Sequence, residues 1–148
     1  MSPWKARLLV AAFIAVIVGA ALAVRYARAA ELTGKVTHVT DGDTFTLDGG
    51  IEVRPCGIDA PRRGSARGRT ARLALEALIL GETLRCVPVS QGTICDGRSG
   101  VTSGTRIVAQ CWLGAIDIAV PMLDAGHVCD WTRFSGGAYT RAKHGKPC

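Results

Sequence analysis

Residues 33–55 read TGKVTHVTDGDTFTLDGGIEVRP. Apolar and polar residues alternate through Thr33–Val39, again through Thr44–Leu47, and a third time through Ile51–Arg54. A period of two puts successive side chains on opposite faces of an extended chain. Asp41-Gly42-Asp43 separates the first run from the second, and Asp48-Gly49-Gly50 the second from the third. Asp and Gly are the residues that tight turns favour. The stretch therefore predicts a meander of short strands.

Downstream, Gly57–Gly68 reads as a loop with Pro61 and three glycines. Thr70–Leu80 reads as a helix, because Ala71, Ala74, Leu75 and Leu78 recur at helical spacing and Gly81 follows as a stop. Glu82–Val89 is expected as a strand, Ser90–Thr105 as a long loop rich in Gly and Ser, and Arg106–Trp112 as another strand. Gly114 turns that strand into Ile116-Asp117-Ile118. A short helix with Pro121 in its first turn follows and ends at Gly126. The tail from Trp131 reads as mostly irregular. Strands, a helix, two more strands and a second helix suggest a small β-barrel with helices packed on it.

The chain has 148 residues, 48% of them hydrophobic and 20% charged, which excludes disorder throughout. Aromatic residues are only 5%, so the core must come from Val, Ile, Leu and Ala. The net charge of +6 is concentrated at one end. Lys5, Arg7, Arg25 and Arg28 flank an apolar run, and without residues 1–29 the balance is 14 basic against 12 acidic groups. The overall charge is thus no nucleic-acid signature. The choice of cation is more informative: fourteen arginines stand against four lysines. Arginine is preferred where a phosphate or carboxylate is gripped by two parallel hydrogen bonds.

The apolar run, Leu8–Val24, has 17 residues without a polar side chain. With Lys5 and Arg7 before it and Ala27-Arg28-Ala29 after it, residues 1–29 fit a cleaved signal peptide. The run is also just long enough for a retained hydrophobic helix that anchors the chain in a membrane. Equal basic flanks leave the choice open. Either reading exports residues 32–148 to a periplasmic or extracellular location. All six cysteines (Cys56, Cys86, Cys95, Cys111, Cys129 and Cys148) lie beyond the run. Export and an even count read as disulfides, with about 15 connectivities possible. The nearest pair is nine residues apart, so the close cysteine pairs of a zinc site are absent. Cys86 and Cys111 fall in the strands that flank the long loop and are expected to pair. Cys129 with Cys148 is a second expectation, because that bond would tie down the tail.

Three spans carry chemistry: Val39-Thr40-Asp41-Gly42-Asp43-Thr44, then Arg54-Pro55-Cys56-Gly57-Ile58-Asp59-Ala60-Pro61, then Thr105-Arg106-Ile107-Val108-Ala109. Each alone is ordinary turn or strand chemistry. In this order, with a helix between the second and third, they resemble the staphylococcal nuclease (thermonuclease) family. That family's pattern runs D-G-D-T, R-x-x-x-I/V-D-x-P-E, helix, G-R-x-x-A. Asp117-Ile118-Ala119 and Met122-Leu123-Asp124-Ala125-Gly126 extend the likeness, which covers roughly residues 33–139.

The resemblance implies an OB-fold, a five-stranded small barrel with two or three helices. It implies Ca²⁺-dependent hydrolysis of phosphodiester bonds in DNA or RNA. Asp43 and Asp59 match the metal-ligand aspartates, and Ala60 matches a position that ligates through its backbone carbonyl. Arg54 and Arg106 match the catalytic phosphate clamp, and Asp41 would support the turn beside the metal. Carboxylate and carbonyl oxygens suit a hard cation, and guanidinium groups suit the charge that develops on a phosphate. Trp131 stands near an aromatic that can stack on a base; a core or hinge role is the alternative.

The sequence departs from the pattern at the general base. Glu is expected after Asp59-Ala60-Pro61, and Arg62 stands there, followed by Arg63. A guanidinium cannot accept a proton. Losing a general base typically costs about 10²–10⁴ in rate, so reduced activity is the expectation. Glu52 and Glu76 are conceivable substitutes. Gly104 replaces the Tyr usual two residues before the second clamp arginine. Arg62, Arg63, Arg67, Arg69 and Arg72 form a run without an acid, and Arg62, Arg63 and Arg67 are candidates for contact with nucleic acid. The alternative function is a non-catalytic module that binds nucleic acid or protein on the same fold. Membrane contact is expected only through residues 8–24, and nothing points to an oligomer.

Overall fold

The computed structural model describes Val10, residues 12–19 and residues 31–148. Val10 and residues 12–19 are helical. The rest of the run Leu8–Val24 and the Ala27-Arg28-Ala29 site lie outside the described residues. Among the described residues no helix is long and apolar enough to cross a membrane.

Leu32–Cys148 is one compact unit. Its strands are β1 (Leu32–Asp41), β2 (Thr44–Leu47), β3 (Ile51–Pro55), β4 (Ile58–Asp59), β5 (Thr83–Pro88), β6 (Thr102–Ser103), β7 (Arg106–Leu113), β8 (Ile116–Asp117) and β9 (Cys129–Asp130). Its helices are α1 (Ala66–Ile79), α2 (Ala119–Asp124), α3 (Thr132–Ser135) and α4 (Ala138–Arg141). β1, β2 and β3 form the expected antiparallel meander. β1 also pairs with β5, and β5 with β7. Parallel pairing of β3 with β7, Val53 beside Ile107 and Arg54 beside Val108, closes a five-stranded barrel of OB type. The alternation read from the sequence sends Val36, Phe45, Leu47 and Val53 inward, an irregularity in the β1–β2 register after Val36 brings Val39 inward as well, and Leu75 and Ile79 of α1 cover them.

Three expectations need correction. The helix begins at Ala66, within the stretch read as loop. Ser65 caps it by accepting the Gly68 N–H at 2.9 Å, a signal that the apolar spacing alone does not carry. The loop Ser90–Thr105 contains β6, which pairs with β7 through Ser103 and Arg106. The tail is ordered into α3 and α4, with Gly136 and Gly137 both left-handed between them. Buried Asp130 organises it: its carboxylate accepts from the Ser135 hydroxyl and from the Thr140 N–H and hydroxyl at 2.8 and 2.7 Å.

Three disulfides are present, compatible with an oxidising, exported location. Cys86–Cys111 and Cys129–Cys148 are the two pairs expected, and Cys86 and Cys111 are register partners on β5 and β7. The third, Cys56–Cys95, fastens the end of β3 to the long loop. Asp96 stiffens that loop by accepting from the Thr93 hydroxyl and from the Thr93, Ser90 and Gly92 N–H groups. Those donors, the Thr93 hydroxyl foremost, hold its carboxyl below the ordinary value.

Gly42 fixes how the β1–β2 turn meets α1. A Cβ there would lie 2.6 Å from the Ala71 Cβ and 3.0 Å from the Ala60 Cβ. Only glycine lets the turn approach this closely, and the approach sets Asp43 against the backbone of Ala60.

Candidate functional site

Barrel closure creates the site. Arg54 lies beside Val108 across the parallel β3–β7 pair, and Arg106 is two residues before Val108. Paired positions and their i±2 neighbours share a face, so both guanidinium groups project to the same side. Both line a cavity of about 390 Å³ with Asp59, Ser103, Trp131 and Phe134 among its other walls.

Arg54 is the hub. Its guanidinium pairs with Asp43 Oδ1 at 3.0 Å and with Asp59 Oδ1 at 3.2 Å. It also sits 5.6 Å from the centroid of the Trp131 ring. The Asp43 side chain is 7% exposed and that of Arg54 15%, whereas Asp59 is 43% exposed. The Asp43 carboxylate is further fixed by the Ala60 N–H at 2.9 Å and the Thr44 hydroxyl at 3.3 Å. Ala60 thus meets Asp43 through its N–H.

Arg106 is oriented by three acceptors. It donates to the Ser103 carbonyl and hydroxyl, each at 3.2 Å, and to the Thr44 hydroxyl at 3.1 Å. Ser103 and Thr44 are residues of the candidate site that the motif reading does not single out. Ser103 lies in the stretch Ser90–Thr105 that reads as loop, and Thr44 is the fourth residue of D-G-D-T, read there as turn chemistry. Gly104, left-handed at φ 64°, makes the β6–β7 turn that presents Ser103. Ser99 and Thr102 line the same cavity beside Ser103.

Asp41 Oδ1 is buried and has no hydrogen-bond partner among the described residues. Burial, and then the neighbouring Asp43 charge, push its carboxyl above the ordinary value, while Arg63, Arg106 and Arg54 oppose the shift. Asp41, Asp43 and Asp59 together offer hard oxygen donors, one of them unsatisfied. Hard oxygen donors are what a divalent cation takes, but Asp43 and Asp59 already pair with Arg54, and the three carboxylates do not gather within 4.8 Å of one another. A separate group, the Asp59 carboxylate with the sulfurs of Cys129 and Cys148, lies within 4.8 Å. Both sulfurs belong to one disulfide and offer no thiolate, so this group is not a metal centre.

The basic run does not converge on the clamp. Arg62 is exposed, and its carbonyl accepts the Ser65 hydroxyl and N–H. Arg63 lines a second cavity with Asp41. Arg67 lines a third, with Thr70, Gly126 and His127, and a further one beside Asp59 and Ala60. Of the two glutamates considered as substitutes for the base, neither lines the clamp cavity, and Glu76 pairs with Arg72. Asp59 is the one carboxylate among that cavity's walls.

Neither protein-family models nor curated proteins yield a match to this chain.

Proposed function

We propose that the chain is an exported, staphylococcal nuclease-like phosphodiesterase of reduced activity that acts on DNA or RNA with Ca²⁺. The observation that carries this reading is the convergence of Arg54, Arg106, Asp59 and Trp131 on one cavity. Two guanidinium groups, one fixed by carboxylates and one by hydroxyls, form a pre-oriented clamp for a phosphodiester and for the charge it gains on attack. Trp131 supplies a face on which a base can stack, held in place by Phe134 at a 4.6 Å centroid distance. Asp43, Asp59 and the Ala60 carbonyl would hold the metal, with Asp41 beside them. Bound there, a divalent cation supplies polarisation of the phosphoryl oxygen. The clamp binds and orients the phosphate whether or not a positioned base is present, which is why slow hydrolysis fits better than none.

Digestion of single- and double-stranded DNA with Ca²⁺, repeated with chelator and with Asp59→Ala, tests the reading. Cleavage should need the metal and vanish in the variant. Arg62→Glu should raise the Ca²⁺-dependent rate by up to the roughly 10²–10⁴ that a general base is worth. If Arg62→Glu is no faster at saturating Ca²⁺, the missing glutamate is not what limits the site.

A second reading rests on Arg54. Its guanidinium already pairs with both Asp43 and Asp59, as a non-catalytic module that binds nucleic acid or protein would allow. Binding of DNA in chelator without cleavage in Ca²⁺ would favour it.

Export is part of the proposal. It is supported by the basic start, the apolar run and the three disulfides. Fusing residues 1–40 to a reporter active only after export should give signal. A silent reporter, with free thiols on the protein in cells, would overturn export and oxidation together.

A further inference from the structure

Five arginines follow Asp59 within a stretch that holds no acid, and the structure sorts them. Arg63, Arg69 and Arg72 line one cavity of about 280 Å³, together with Thr40, Asp41 and Gly68. Arg67 lines a different one. Arg72 is paired with Glu76, and Arg69 donates to the Gly64 carbonyl at 3.0 Å, so both side chains are held in place. Arg63 makes no hydrogen bond or ion pair among the described residues. The first turn of α1 carries no acid, and its positive end adds to the same field. Three guanidinium groups on one small concavity repel one another, and an anion between them relieves that repulsion.

The position of this cavity is as informative as its charge. Asp41 is one of its walls, and Asp43, two residues on across the same turn, pairs with Arg54 of the clamp at 3.0 Å. The two cationic cavities are therefore neighbours. A ligand with one phosphate fills one of them, whereas a chain of phosphates can fill both.

We propose that the Arg63–Arg69–Arg72 cavity is a second phosphate subsite, which takes a neighbouring phosphate of the nucleic acid strand whose scissile phosphate lies between Arg54 and Arg106. This rests on the nucleic-acid reading of the clamp and extends it. The protein grips a polynucleotide at two points, and short substrates lose the second grip. Arg69 and Arg72 thereby become binding residues, and Arg62 and Arg67 do not.

The test measures binding of two labelled oligothymidylates, a dinucleotide and a ten-nucleotide strand, to the full chain in chelator, where no cleavage interferes. The Arg63→Ala/Arg69→Ala double variant should bind the long strand about tenfold more weakly. Its salt dependence should flatten by about 0.7 in log–log slope, the value for one phosphate contact on a single strand. Its dinucleotide affinity should stay as in the wild type. Lys35→Ala/Lys146→Ala, an equal loss of two charges at exposed positions outside the cavity, should leave both affinities unchanged. Thermal unfolding of the double variant checks that it folds. If it keeps wild-type affinity for the long strand, or loses affinity for both lengths equally, the second subsite is wrong while the clamp reading stands. If the wild type binds neither strand, the nucleic-acid reading falls as well.

Discussion

Arg54→Met should lower cleavage about 10²–10³-fold, the cost of removing a pre-oriented group that stabilises transition-state charge. It should also destabilise the fold by about 3 kcal/mol, because breaking a buried ion pair strands the remaining charge. Both losses have one origin. The Arg54 guanidinium holds Asp43 and Asp59 together while lining the cavity. Without it, Asp43 keeps only the Ala60 N–H and the Thr44 hydroxyl, and the Asp41 charge stays nearby. Arg54→Lys separates the two effects. A point charge restores much of the ion pairing but not the planar fork, so stability should recover more than cleavage. Chemical denaturation beside a cleavage assay reads both. A Met variant as stable and as fast as the wild type would remove Arg54 from both roles.

Asp130→Ala should cost about 3 kcal/mol, because it leaves the Ser135 and Thr140 donors buried or half-buried without an acceptor. For a domain of this size that is roughly a 10 °C fall in Tm. The residue is fully buried, and its backbone also bonds Lys146 and Cys148, so it knots β9, α3, α4 and the end of the chain. Trp131 follows it directly, so the aromatic wall of the cavity should loosen at the same time. Asp130→Asn keeps one acceptor oxygen and should show a smaller loss. A calorimetric scan with tryptophan fluorescence measures both. An unchanged melting point would mean that the tail contributes nothing to the fold.

What could be read from the sequence was what is local. The strands of the meander announce themselves by alternation, and Cys86 and Cys111 pair because they sit on adjacent strands beside one loop. The parallel seam between β3 and β7 leaves no local mark, since neither strand's alternation names its partner. Arg54 and Arg106 could therefore be proposed as a clamp only through the family pattern, and the seam explains why they face the same way. The Cys56–Cys95 bond was not foreseen for a related reason: it joins a strand end to an irregular loop, and nothing in the spacing selects it. The helical turns of the tail are too short to leave a periodic signal; Gly136-Gly137 separates them, and Asp130 bonds to residues of both. Within the arginine run the sequence shows density but not direction. On α1, Arg69 and Arg72 lie one turn apart and line the cavity that holds Asp41, while Arg67 lines others.

The seam also fixes an order of events. Val53 and Ile107 are more than fifty positions apart, and contacts so distant along the chain form slowly. A chain emerging from one end has β1, β2 and β3 in place long before β7 exists, and until then β3 is an open edge. Cys56–Cys95 and Cys86–Cys111 each shorten the search that remains, one by holding the long loop against β3 and the other by holding β5 to β7. Refolding under reducing conditions should then be slower than under oxidising ones, with the unprotected edge of β3 as the point where molecules stick to one another.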